Sequence, residues 1–104
     1  MTAAKKKALE ERGWKVGSLQ EFLDLTDEEV AFIDLKIALS QFLQYRRKKK
    51  RMTQVQLAEL IESSQSRVAK MEKGEASVSF DLIIRSLLAI GVRENDIARA
   101  IMKK

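Results

Sequence analysis

Six consecutive cations, Arg46-Arg47-Lys48-Lys49-Lys50-Arg51, form the densest block of charge in the chain. They contribute +6 to a protein whose net charge is +5, so the remaining residues are slightly acidic together. Basicity confined to one place is the footprint expected of a contact with phosphate. A solvated helix end also favours cations, through the macrodipole, but does not need six of them. Shortly after the run comes Gln65-Ser66-Arg67, followed by Lys70. These are short or flexible hydrogen-bond donors that share one side of a helix. They suit base edges and phosphate oxygens in a major groove.

Other chemistries lack their residues. The chain contains no cysteine and no histidine. Disulfides, thiol nucleophiles, imidazole acid-base catalysis and ordinary zinc sites are therefore excluded. Carboxylates are present, but they are scattered among cations as on solvated helix faces, and no glycine-rich loop could cradle a nucleotide. The reading is a non-enzyme without cofactor or metal. The lack of cysteine fits a cytoplasmic protein. No apolar run approaches the roughly 20 residues of a membrane span. The polar, basic start, with no apolar stretch after it, does not read as a secretory signal.

The elements that must position these donors are helices. The 104 residues include no proline and four glycines, with 45% hydrophobic residues, which suits one compact all-α domain. Thr26-Asp27-Glu28-Glu29 is a helix start, with Thr26 as cap, Glu29 completing a capping box, and three carboxylates at the positive end of the dipole. The helix runs to about residue 50. Its apolar residues fall on two adjoining stripes, Val30, Ile33 and Ile37, then Phe32, Leu35, Leu39 and Phe42. That is wider than one core-facing stripe requires, leaving a face for a second subunit, another protein or the N-terminal arm.

Thr53 with Gln56 predicts a second capping box. Ser63 or Ser64 caps a third helix, residues 65–73, with Val68 and Met71 inward, facing Leu57 and Ile61. Ala58 is small where the second and third helices cross. Gly74 is a C-terminal stop. Ser79 caps a fourth helix carrying the stripe Phe80, Ile83, Ile84, Leu87 and Leu88, which Gly91 ends. A fifth, residues 94–102, begins at Arg93 or Asn95 and turns Ile97 and Ile101 inward.

Residues 1–25 read as a partly flexible N-terminal arm, and residues 26–104 as the domain. Within the arm, Ala3, Ala4, Ala8 and Leu9 form a weak helix that frays. Gly13 and Gly17 bracket an extended Trp14-Lys15-Val16. Leu19, Phe22, Leu23 and Leu25 form an apolar cluster behind a Ser18–Glu21 capping box. Such clusters more often cover their own core than bind a partner.

Two short helices joined by about three polar residues, over 53–74, make a helix-turn-helix. Thr53-Gln54, Leu57-Ala58, Ser64-Gln65-Ser66, Val68 and Met71-Glu72-Lys73-Gly74 resemble the Xre/Cro-like regulators, over about residues 46–88. The resemblance implies a five-helix lambda-repressor-like domain with a long first helix. It also implies roles for individual residues. Gln54 would clamp phosphate, and Ser64 would touch phosphate or cap the recognition helix. Gln65, Ser66 and Lys70 would read bases, and Arg67 would reach backbone or a base at the rim. Arg47 and Glu72 would form an internal ion pair, leaving Lys48 and Lys49 for phosphate. The family's usual turn glycine is replaced by Glu62. Either the turn differs or Glu62 adopts positive φ, at a cost of about 1 kcal/mol.

Val16-Gly17-Ser18-Leu19, Leu25-Thr26 and the long helix leading into the motif are also similar to antitoxins of HigA type. That likeness implies a homodimer on a palindromic operator in double-stranded DNA, a cognate toxin as protein partner, and autoregulated repression. The alternative is a toxin-neutralising interaction module whose DNA binding is weak or non-specific.

Overall fold

The computed structural model describes residues 3–13 and 25–103. Among them are six helices and no strand: α1 (Ala3–Glu11), α2 (Asp27–Lys49), α3 (Gln54–Leu60), α4 (Gln65–Glu72), α5 (Phe80–Ala89) and α6 (Glu94–Lys103). No described helix is long and apolar enough to cross a membrane. The five helices from α2 onward enclose one core, in which Leu39, Leu43, Leu57, Val68, Met71, Ile83 and Leu87 are fully buried.

The starts of these helices follow from short-range chemistry. The hydroxyls of Thr26, Ser64 and Ser79 accept from the backbone N–H three residues on. Thr53 and Gln56 close a reciprocal capping box, at 3.1 Å and 2.8 Å. At α6 it is Arg93 that flanks the helix, its N–H donating to the Asp96 carboxylate at 3.3 Å.

Four helix ends share one solution. After α2, α3, α4 and α5 the chain turns through a left-handed residue whose own N–H donates to the carbonyl three residues back, and the next N–H returns to a carbonyl five residues back. This double hydrogen bond satisfies carbonyls that the helix leaves open. Gly74 and Gly91 occupy two of the left-handed positions, at φ 67° and 91°. Arg51 and Glu62 occupy the others, at φ 57° and 55°. The turn between α3 and α4 therefore keeps its geometry, and Glu62 carries the backbone cost in place of glycine. Gly74 has a second reason. A Cβ there would stand 3.3 Å from the Ile37 side chain, so the end of α4 approaches α2 closely enough that Ile37 would have to give by a few tenths of an ångström.

Several residues sit differently from the expectation. Leu88 was expected on the inner stripe of α5, yet it is 45% exposed, whereas Ser86 is fully buried. The Ser86 hydroxyl donates to the Leu82 carbonyl at 2.7 Å, which lets a polar residue occupy the inner face. Ser40 of α2 does the same to Lys36, at 2.8 Å. On α3, Val55 and Leu60 are each 49% exposed, leaving Leu57 and Ala58 as its buried residues.

The short helix expected around Ala3, Ala4, Ala8 and Leu9 spans Ala3–Glu11. Leu9 is buried against Ile33 and Ile37 of α2. Just past the helix, Arg12 fastens it. Arg12 Nε donates to the Lys73 carbonyl at 3.1 Å, and the Arg12 carbonyl accepts from the Ala76 N–H at 3.2 Å. This part of the arm thus ends against the C-terminus of α4. The extended Trp14-Lys15-Val16, Gly17, the Ser18–Glu21 capping box and the cluster residues Leu19, Phe22 and Leu23 lie outside the described residues. Leu25 is half-buried.

Candidate nucleic-acid interface

The α4 helix has a dry side and a wet side. Val68, Met71 and Glu72 are buried, and Ala69 is half-buried. Gln65, Ser66, Arg67 and Lys70 are exposed, together with the cap Ser64. The apolar residues recur three apart, so the remaining positions must face solvent. A short helix docked by two apolar side chains presents four donors outward, as entry into a major groove requires.

A hydrogen-bonded chain fixes where α4 sits. Arg47, near the end of α2, grips Glu72, the last residue of α4. Its Nε donates to Glu72 Oε2 at 2.5 Å and its Nη2 to Oε1 at 3.0 Å. The third guanidinium nitrogen, Nη1, donates to the Met52 carbonyl at 2.7 Å. Gln54, the first residue of α3, donates to Glu72 Oε1 at 3.1 Å, and its own amide oxygen accepts from Gln65 Nε2 at 3.3 Å. Arg47 and Glu72 are both buried, yet no described buried side-chain nitrogen or oxygen lacks a partner. A fully paired buried network holds a specific geometry more than it adds stability.

This chain joins residues from three helices, and its Gln54 links lie beyond what the residue types signal. The Gln54 amide bridges both ends of α4, reaching Glu72 and Gln65 over 18 and 11 residues of sequence. Glutamine is common at helix starts, and no local pattern marks such separations. The Arg12 contact with the α4 C-terminus is hidden for the same reason.

The basic run divides by environment. Arg47 is buried in the pair just described. Arg46 is half-buried, its guanidinium 5.8 Å from the centre of the Phe42 ring. Lys48, Lys49, Lys50 and Arg51 are exposed. Lys49 Nζ lies 5.8 Å from the Tyr45 ring centre. The run therefore ends in four solvent-facing cations. The Arg47–Glu72 pair ties it to α4.

Residues 43–97 match the helix-turn-helix family HTH_3, a span of just over half the chain that begins in the last turns of α2 and ends in α6. No curated protein matches the chain, and no solved structure does. The matched span holds the exposed α4 donors, the network that orients them and the basic run. The chain thus belongs to the HTH_3 family of Xre/Cro-type helix-turn-helix proteins, and it is a DNA-binding transcriptional regulator.

Proposed function

We propose that this protein is a homodimeric repressor that reads a palindromic operator, acting in the cytoplasm as the antitoxin of a type II toxin–antitoxin pair and repressing its own operon. In this reading Gln65, Ser66 and Lys70 contact base edges, and Arg67 contacts backbone or a base at the rim. Gln54 and Ser64 approach phosphate where α3 and α4 begin. Lys48 and Lys49 neutralise phosphates beside the groove. The observation that carries the reading is the exposed α4 face, held from behind by the Arg47–Glu72–Gln54 chain. The antitoxin part draws support from the likeness to HigA-type proteins and from apolar surface on α2 beyond the needs of the core. Phe32 is 48% exposed although its ring stacks on Phe80, 5.6 Å away.

That apolar surface also favours a second reading, a module that neutralises a toxin and binds DNA only weakly. A titration of the wild type and of Gln65→Ala/Lys70→Ala against the protein's own upstream region and a scrambled duplex separates the two. The repressor reading expects tight binding to the native duplex alone, lost in the variant. Equal, weak binding to both duplexes by the wild type favours the second. The antitoxin role has its own test, co-purification with the product of an adjacent gene. The role fails if that product, expressed alone, is harmless and does not bind.

A further inference from the structure

Residues Ala31, Leu35, Ala38, Phe42, Tyr45 and Lys49 of α2 recur at alternating spacings of four and three. That is the spacing of a helix–helix seam. Five of the six buried residues, Ile33, Lys36, Ser40, Leu43 and Arg47, form another seam with the same alternation on the opposite side of the helix, with Leu39 buried beside it. The inner seam meets the core. Along the outer one Ala31 and Tyr45 are exposed, and Leu35, Ala38 and Phe42 are half-buried. A groove of about 560 Å³ lies beside it, with Asp34, Ala38 and Phe42 of α2 and Ala100 and Lys103 of α6 among its walls.

We propose that this outer face is where two copies of the chain meet, as an antiparallel α2–α2 pair whose two-fold axis passes at Ala38. The proposal rests on the homodimer reading and names its interface. Three properties of α2 point to a second copy as the occupant. The first is size. About an axis at Ala38, the small Ala31 faces the large Tyr45 of the other copy, Leu35 faces Phe42, and the two Ala38 residues meet where the helices come closest. The second is charge. The first turn carries Asp27, Glu28 and Glu29, and the last turn carries Arg46 beside this face, with Lys48 and Lys49 left for phosphate. An antiparallel pair sets each acidic start against a basic end, twice, whereas a parallel pair would set like charges together. Exposed pairs of this kind select register more than they add affinity.

The third is distance. Eleven residues separate Ala38 from Lys49. At 1.5 Å per residue, the two basic ends stand about 33 Å apart along the pair. Half-sites one DNA turn apart lie roughly 34 Å from centre to centre. A two-fold axis normal to the helix pair brings both basic ends to the same height along that axis, while the α4 helices, held by Arg47 on the side of α2 away from the seam, flank the pair. One duplex can then meet both basic ends.

The absence of cysteine makes the test direct. Ala38→Cys and Leu88→Cys place single thiols on the proposed face and on the exposed surface of α5. Each full-length variant is oxidised at low micromolar concentration, and the native mass of the wild type is measured alongside. The expected result is a wild type at twice 11.9 kDa, near-complete disulfide dimer for Ala38→Cys, and background cross-linking for Leu88→Cys. A folded monomer for Ala38→Glu, with unchanged helical circular dichroism, supports the same face. A dimeric wild type with no cross-link at position 38 overturns the interface and leaves the homodimer standing. A monomeric wild type overturns both.

Discussion

Arg47 of α2 and Glu72 of α4 are 25 residues apart in sequence and meet through two parallel hydrogen bonds, both side chains nearly excluded from water. The pair does two things at once. It sinks one cation of the basic run into the core, and it pins the end of the helix that carries the groove-facing donors. Removing one partner would strand the other as a buried charge, which typically costs 3–5 kcal/mol. Glu72→Ala is therefore expected to lose about 3 kcal/mol in chemical denaturation. Arg47→Met should lose a similar amount, since it also leaves the Met52 carbonyl open. The double variant should lose much less than the sum. Additive losses would mean that the two charges are not coupled in solution.

Glu62 gives a prediction of opposite sign. It stands at φ 55° in the turn between α3 and α4, where the preceding helix needs a left-handed residue to close its double hydrogen bond. Glycine adopts that conformation without a Cβ clash. Glu62→Gly is expected to stabilise by about 1 kcal/mol, read as a higher denaturation midpoint at unchanged slope. No gain would show that the glutamate side chain contributes a compensating interaction.

Gly74→Ala should act in the other direction. The residue combines φ 67° with a Cβ position 3.3 Å from Ile37. Both backbone strain and the approach of α2 oppose a methyl group. A loss of about 1–2 kcal/mol is expected in the same denaturation assay. A neutral result would mean that α4 can move away from α2 without cost.

Much of this architecture was legible because its signals are local. Thr26, Ser64, Ser79 and the Thr53–Gln56 box reach only three residues, so helix starts can be read from residue type. The exposed face of α4 follows from the spacing of Val68 and Met71. What stayed hidden depends on partners distant in sequence. Ser40 and Ser86 are buried because their hydroxyls turn back onto carbonyls four residues earlier. Composition cannot distinguish that from an exposed serine, and it is why Leu88 was expected inside. Arg12 gives no sign in sequence that it will hold the Lys73 carbonyl 61 residues away. The Arg47–Glu72 pairing was expected from family resemblance alone, since five other cations adjoin Arg47.

Lys36 predicts a response to alkaline pH. Burial lowers its ammonium pKa below the ordinary lysine value of 10.5. The unfolded chain then holds this proton to higher pH than the folded one. Stability should rise as pH climbs through the lowered value towards 10.5, because the cost of burying the charge disappears. Denaturation midpoints measured across that window should increase in the wild type and stay flatter in Lys36→Met. A falling midpoint in the wild type, with the variant unchanged, would show that the charged form is the one the fold favours.

The proposed interface separates two kinds of loss on DNA. Lys48→Ala with Lys49→Ala removes exposed cations that would displace counterions from phosphate. It should weaken binding to native and scrambled duplexes alike, and reduce the slope of log K against log salt by about 2 per subunit, or about 4 for the bound dimer. Gln65→Ala removes a donor suited to a base edge. It should lower affinity for the native duplex by about 1–3 kcal/mol, with little change in the scrambled one or in the salt slope. Competition titrations at several salt concentrations read both. Gln65 also donates to Gln54, so its loss frees that amide as well as a base. The comparison is completed by Gln54→Ala, which leaves the Gln65 side chain present but unsupported. If Gln54→Ala reproduces the lost discrimination of Gln65→Ala, orientation of the Gln65 amide is what reads sequence. Equal losses on both duplexes for Gln65→Ala would remove that residue from base recognition and leave Ser66, Arg67 and Lys70 to carry it.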